Sequence, residues 1–304
     1  NYCGFFSFTK EFIEISSVFL YNGFRETISM KKKEYFYNFV RDYNYFICPI
    51  CHEKLTLSVS SLKCNNGHNF DISSKGTVNL INTCKYKRSE IYNKNLFLNR
   101  RAFILNDFYS EVYDIISEVI NGNKLNKVVL DAGCGEASHG IGTLKRLHEN
   151  TLFLGFDYSK DAIDLASDYY VNKRVFFEAS VDNIPLMTSS VDVIIDFLSP
   201  FNMSEFKRIL KSGGVIIKVS PAKEYLKELR KNMKIDNYSK EDEIFNNIND
   251  KFLVEKIIKY KKKFKIDFKL FDNLMKMTPM KFDKKIDKVD DITIDLNIYV
   301  LRGD

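Results

Sequence analysis

Four residues in the first quarter of the chain have the types and spacing of a metal site. Cys48-Pro-Ile-Cys51 is followed after twelve residues by Cys64-Asn-Asn-Gly-His68. Two pairs with two- and three-residue gaps, joined by a loop, match the ligand spacing of structural zinc. A CxxC turn sets two thiolates on one knuckle with backbone amides facing the sulfurs, and the second knuckle closes a tetrahedron. Cys48, Cys51, Cys64 and His68 fill every position, so the set reads as a structural Zn2+ centre with no site left for substrate. A redox CxxC sits beside a βαβ pattern and needs no second pair. His52 reads as solvent-facing, and Cys84 and Cys134 as small buried hydrophobes.

A second constellation is Val128-Val-Leu-Asp131-Ala-Gly133-Cys-Gly135-Glu136-Ala137. An apolar run feeds into glycines and then a helical stretch, which lets the backbone turn tightly and approach a ligand. About twenty residues on, Leu154-Gly-Phe-Asp157-Tyr158 ends another apolar run in an acid suited to ribose hydroxyls. Asp131 and Glu136 would repel a pyrophosphate. A cationic sulfonium with an amino-acid tail fits better, which favours S-adenosylmethionine (SAM) over a dinucleotide. Ser180 and Val181, after a third run, can address adenine. Asp196-Phe-Leu-Ser199-Pro200-Phe201 ends a fourth, at the end of a strand that would overlie the crevice. Pro200 stiffens that turn, and Phe201 is suited either to stacking on a flipped-out base or to core packing. Asp196 and Asp182 are candidate proton acceptors, each with a structural alternative.

The elements that must hold these groups alternate. Apolar runs at Lys127–Ala132, Leu152–Asp157, Arg174–Ala179, Val191–Leu198 and Val215–Val219 are separated by helical stretches, with Gly213-Gly214 turning into the last. This predicts an α/β fold with a parallel, doubly wound sheet. The tail, Phe252–Ile266 and Ile292–Val300, reads as two antiparallel edge strands with a helix near 268–277. Phe103, Leu105, Phe108, Val112, Ile115, Ile116 and Val119 predict one amphipathic helix from about Asn99 to Ile120. Residues from Met30 to Cys84 are turn-rich and too few to bury a core without a staple.

Charge is segregated. Residues 30–101 carry 13 Lys/Arg against 5 Asp/Glu, residues 128–200 carry 5 against 11, and residues 201–304 carry 24 against 17. A basic first module suggests a polyanionic partner, and an acidic middle suits a cationic cofactor. Lys85, Lys87, Arg88, Arg100 and Arg101, with Tyr86 interleaved, form a candidate RNA-binding cluster. The Lys256–Lys265 run reads as the wet face of a strand. No segment approaches the roughly 18 uncharged apolar residues of a membrane helix. Six cysteines in this Lys-rich composition fit a cytoplasmic protein, not a disulfide framework. Residues 1–29 read as an extension of doubtful status, with no signal-peptide pattern and Met30 opening a lysine-rich start.

In this order the elements resemble the RlmA family of 23S rRNA guanine-N1 methyltransferases. The similarity runs from about Phe46 to Arg302. Its stations include CPICHEKL (48–55), CNNGHNFDISSKGTVNL (64–80), KYKRS (85–89), NRRAFILNDFY (99–109), LDAGCGE (130–136), GFDYSKDAI (155–163), KSGGVIIKVSP (211–221), EYLKEL (224–229) and LMKMTPM (274–280). The zinc signature joined to the Arg-Arg-Ala-Phe segment is far more specific than the SAM loop. The resemblance implies a zinc-ribbon-like, RNA-recognising domain over residues 30–90 and a class I (Rossmann-like) SAM-dependent methyltransferase domain over 91–304, linked by helix 100–120. It implies methylation of N1 of a guanine in a hairpin loop of 23S rRNA, and a homodimer; one branch of the family is tied to macrolide-type resistance. The implied cofactor contacts fall on Tyr109, Gly135-Glu136 and the EYLKEL segment, where Tyr225 replaces a histidine; Ala137 replaces the usual third glycine. Two other readings compete: a small-molecule SAM methyltransferase, and an inactive zinc-ribbon RNA binder.

Overall fold

A computed structural model describes residues 30–82, 91–123, 128–233, 252–278 and 286–302. Lys85, Lys87, Arg88 and the 1–29 extension lie outside the described residues. From Lys31 onward the chain forms one compact unit. No helix among the described residues is long and apolar enough to cross a membrane.

Seven strands form the central sheet: β4 (Val128–Ala132), β5 (Leu152–Asp157), β6 (Arg174–Glu178), β7 (Val191–Phe197), β8 (Leu210–Pro221), β9 (Leu253–Lys265) and β10 (Asp291–Arg302). Their spatial order is β6-β5-β4-β7-β8-β10-β9. The first five are parallel, and β10 runs antiparallel between β8 and β9. Every residue of β4 and β7 is buried, because both strands are covered on both faces. That burial is why they read as apolar runs, interrupted only by Asp131, Asp192 and Asp196. The chain order reverses between β4 and β7, and there the carboxyl ends open a crevice. At the far edge β9 is largely exposed and lysine-studded, which discourages further strand pairing.

The first module holds three short antiparallel strands, β1 (Thr56–Ser58), β2 (Ser61–Lys63) and β3 (Asn69–Asp71). It also holds a helix the sequence reading missed, α1 (Lys32–Asp42). Phe36, Phe39 and Val40, at i, i+3 and i+4, drive one face of α1 into the core.

Two expectations are corrected. The helix expected over 99–120 is two helices, α2 (Lys94–Ile104) and α3 (Ser110–Asn121), broken where Asp107 takes a φ of 58°. The break buries Phe108 and Tyr109 but leaves Leu105 60% exposed. The apolar spacing continued across the interruption, so the pattern alone could not reveal it. The strand expected at Val215 begins at Leu210, with the four residues Lys211–Gly214 opposite the single Asp192, which shifts its register on β7. Gly213, at φ 72°, takes the left-handed position this requires.

The remaining α-helices among the described residues are α4 (Ser138–Leu144), α5 (Lys160–Ala166), α6 (Met203–Ile209), α7 (Lys227–Asn232) and α8 (Phe268–Met277). The last lies between β9 and β10, where the tail reading expects it.

Candidate active site and metal centre

A cavity of about 630 Å³ opens at the carboxyl ends of the parallel strands. Gly133 and Asp157 stand at its floor, Ser180, Val181 and Asp182 form one wall, and Leu198, Ser199 and Pro200 form another. The glycine loop is shaped for close approach. Gly133 has φ 71°, and a Cβ there would lie 2.6 Å from the Ser199 Cβ. Only glycine fits, so backbone takes the place that a side chain would occupy.

Asp157 organises the loop. Its Oδ2 accepts the Gly135 amide at 2.9 Å and its Oδ1 accepts the Ser159 amide at 2.8 Å. A carboxylate has about four acceptor positions, and the Gly135, Ser159 and Tyr158 amides address three of them, so capacity remains for a ribose hydroxyl. Burial pushes its carboxyl up, while the Ser159 and Gly135 amides and nearby Arg100 pull it back. Asp157→Ala should therefore weaken SAM by about 1.5–3 kcal/mol, the range for hydrogen bonds to a charged group. Calorimetric titration checks this, and unchanged affinity would put the ribose elsewhere.

Other acids lie behind the wall. Asp131 is buried, with Oδ2 lacking a hydrogen-bond partner, and its carboxyl is held well above the usual range by burial and by Asp196, Asp157 and Glu136. Asp196 is fully buried and is not part of the cavity lining. Its Oδ1 accepts the Lys218 ammonium at 2.9 Å and lies 2.5 Å from the Ser199 hydroxyl. Lys218 also donates to the Ser199 carbonyl at 2.6 Å. Together they brace a turn in which Leu198 takes a φ of 53°. Phe201 packs edge-on against Phe206 and Phe252, so of its two readings the structure favours core packing.

The two adjacent arginines part company. Arg100 lines the cavity, with its guanidinium 5.2 Å from the Phe97 ring centroid. Arg101 turns inward: it reaches Glu136 at 3.2 Å, Asp168 at 3.0 Å and the Leu165 carbonyl at 2.7 Å. The Arg101 donors, expected at an RNA-binding surface, are engaged inside the protein. Arg101→Ala should cost roughly 2–3 kcal/mol of stability, since Glu136 is buried and would lose its cation. Denaturant unfolding reads this; a changed salt slope of RNA binding without lost stability would contradict it.

In the first module the four expected ligands converge. Their donor atoms all lie within 4.8 Å of one another. Zinc bonds of about 2.3 Å to sulfur and 2.0–2.1 Å to nitrogen imply tetrahedral edges of about 3.8 Å between sulfurs and 3.5 Å from sulfur to nitrogen. The Cys51 and Cys64 sulfurs are 3.7 Å apart, and His68 Nδ1 lies 3.5 Å from Cys48 Sγ and 3.4 Å from Cys64 Sγ. Two backbone amides assist. Ile50 N–H faces Cys48 Sγ at 3.4 Å, and the Glu53 amide leads the interactions that pull the Cys51 thiol down to about 6. The donor set fits structural zinc. His52 is exposed and outside the cluster, as expected.

Residues 46–90 match the family model described as RlmA, N-terminal, a zinc ribbon, and residues 123–283 match a methyltransferase domain. YxjB of Bacillus subtilis, which carries the name of a 23S rRNA (guanine-N(1)-)-methyltransferase, is 31% identical over 285 residues. The match spans 85% of this chain and 97% of that one. The chain belongs to the RlmA family of 23S rRNA guanine-N1 methyltransferases. The 23S rRNA (guanine(748)-N(1))-methyltransferase of Streptomyces fradiae is 27% identical over 188 residues, 61% of this chain and 66% of its own length.

In this RlmA-family chain the implied cofactor contacts are not all on the cavity wall. The Tyr109 and Tyr225 hydroxyls meet at 2.9 Å, and Tyr109 is buried against Phe197 and His139. Both lie outside the lining, as do Asp131 and Glu136; Gly135 contributes its amide to Asp157. Tyr158, like Gly133, Ser180 and Val181, lines the cavity. Sequence reasoning missed Tyr92 and Phe97, which line it from the start of α2 and the segment before it. Aromatic residues ahead of an Arg-Arg pair were the available signal.

Proposed function

We propose that this chain transfers the methyl group of SAM to N1 of a guanine in a hairpin loop of 23S rRNA. The joining of a four-ligand zinc ribbon to a methyltransferase cavity within one compact unit carries this reading. Residues 30–90 would serve as the RNA-recognising domain and residues 91–304 as the methyltransferase domain, acting in the cytoplasm as a homodimer; sedimentation checks the last point.

The cavity suits the donor. A glycine floor lets backbone meet the ligand, Asp157 keeps acceptor capacity for a ribose hydroxyl, and Ser180-Val181 flank the space for adenine. The acids that line the cavity, Asp157, Asp161 and Asp182, favour a sulfonium cation electrostatically. Bound SAM supplies an electrophilic methyl carbon. The protein must orient the guanine so that N1 approaches that carbon in line, the N–C bond forming as the S–C bond breaks to release S-adenosylhomocysteine and the N1 proton passing to water or to Asp182 on the wall; such orientation can contribute several kcal/mol. Ser199 and Pro200 form the wall the base would meet, and Asp196 and Lys218 act as positioning residues that hold that turn. Arg100, on the wall without a hydrogen-bond or ion-pair partner among the described residues, is available to an anionic group of either reactant.

Mass-spectrometric mapping of methylated guanines in 23S rRNA from parent and deletion strains tests the proposal. One N1-methylguanine should vanish on deletion and return with the gene. An identical methylation map would overturn it.

A further inference from the structure

The zinc ribbon does not stand apart from the SAM cavity. The chain from Ser180 to Met187 leaves β6 and supplies three wall residues, Ser180, Val181 and Asp182. Its other side is stitched to the zinc knuckle. The Asn183 side-chain amide donates to the carbonyl of Pro49, which lies between Cys48 and Cys51, at 2.8 Å. Ile47 N–H donates to the Pro185 carbonyl at 3.1 Å, and Met187 N–H to the Tyr45 carbonyl at 3.0 Å. Phe46, fully buried, sets its ring edge-on to Phe177 of β6 at 5.1 Å. Below the knuckle, Glu178 N–H donates to the Val78 carbonyl and Leu80 N–H to the Glu178 carbonyl, each at 2.9 Å. The ribbon thus adds a short parallel pairing to the β6 edge just before the wall begins.

Asn183 is the link between knuckle and wall. Its own N–H donates to the Ser180 carbonyl at 3.1 Å, which closes the turn carrying Val181 and Asp182. One side chain therefore ties a residue enclosed by two zinc ligands to the turn that flanks the adenine space. The wall has a second support from α6: Asn202 holds Asp182 at 2.9 Å, and Glu205 accepts the Ile184 amide at 2.7 Å. Ordering the knuckle removes freedom from the same turn that SAM must order, so each ligand should lower the cost of the other.

We propose that the zinc ribbon is a working part of the SAM site: Asn183 and the 45–49 seam position the Ser180–Asp182 wall, so that zinc and SAM bind cooperatively. This rests on the reading of the cavity as a SAM site. A purely RNA-recognising ribbon would leave cofactor affinity indifferent to the metal.

The test uses the full chain and S-adenosylhomocysteine, the demethylated product, as the probe. Titrating the zinc-loaded protein and the same protein after chelation should give a dissociation constant about tenfold weaker without zinc, within the usual range of coupling between sites. Linkage then demands the reciprocal: saturating S-adenosylhomocysteine should raise the chelator concentration that strips half the zinc by the same factor. Because chelation can also unfold the ribbon, Asn183→Ala supplies an arm that keeps the metal. It should hold its full complement of zinc and bind S-adenosylhomocysteine roughly three- to tenfold more weakly, the effect of one lost hydrogen bond. Equal affinity in the loaded, chelated and Asn183→Ala proteins would overturn the coupling. A zinc-loaded wild-type protein that binds no S-adenosylhomocysteine would instead overturn the SAM reading itself.

Discussion

Lys218→Met is expected to destabilise the protein by about 3–5 kcal/mol, because it removes the cation from a buried pair and leaves the other charge behind. Asp196 is fully buried, its Oδ2 has no hydrogen-bond partner, and Lys218 is its nearest compensating charge at 2.9 Å. Burial already pushes the Asp196 carboxyl up, and Lys218 is the main influence pulling it down. Without Lys218 the carboxyl rises further. A carboxyl raised in the folded state binds its proton more tightly there than in the unfolded chain. Its contribution is thus present at low pH and is lost as pH rises through the folded value. The deficit of Lys218→Met against wild type should therefore grow with pH in denaturant titrations. Adding Asp196→Asn should recover most of the stability. It should not recover methyl transfer, since Lys218 also holds the Ser199 carbonyl. A single variant as stable as wild type at pH 8 would mean that the pair does not bear on this turn.

Cys64→Ser is expected to release zinc and to unfold the knuckle region. The three ribbon strands have three residues each; β1 and β3 have no buried residue and Leu62 is the one buried apolar residue of β2, so they bury little apolar surface of their own. Structural zinc contributes on the order of 10 kcal/mol in isolated zinc-finger peptides, far more than such strands can supply. Unfolding should be local, since the flanking segments are tied to the sheet side by the Ile47–Pro185, Val78–Glu178 and Leu80–Glu178 backbone bonds, whereas within 48–71 the buried apolar anchors besides the ligands are Leu55 and Leu62. Amide exchange should lose protection over residues 48–71 while β4, β5 and β7 keep theirs. A metal-free variant with β1–β3 still protected would contradict the structural role of the metal.

The parts legible in the sequence are those whose physics is local. Ligand spacing on two knuckles is set within 21 residues, from Cys48 to His68, and strands buried on both faces must be largely apolar, as β4 and β7 are apart from Asp131, Asp192 and Asp196. What escaped reading depends on tertiary contacts. Arg100 and Arg101 are identical in type and adjacent, yet one residue of helix rotates the side chain by roughly 100°. That rotation sends one guanidinium to the cavity and the other to Glu136. The break at Asp107 leaves no mark on the apolar periodicity, because Phe103 and Phe108 pack on each other across it at 5.0 Å. Asp196 and Asp182 looked alike as candidate proton acceptors. Their surroundings separate them: a buried lysine for one, a half-open wall and Asn202 for the other.

The central claim is tested most directly by incubating purified protein with SAM and 23S rRNA, digesting the RNA to nucleosides and identifying the methylated product by mass spectrometry. The account predicts 1-methylguanosine, formed at a single guanine and absent when Gly133→Ala protein is used. Unmodified RNA, or a methyl group on any other atom of the base, would contradict it.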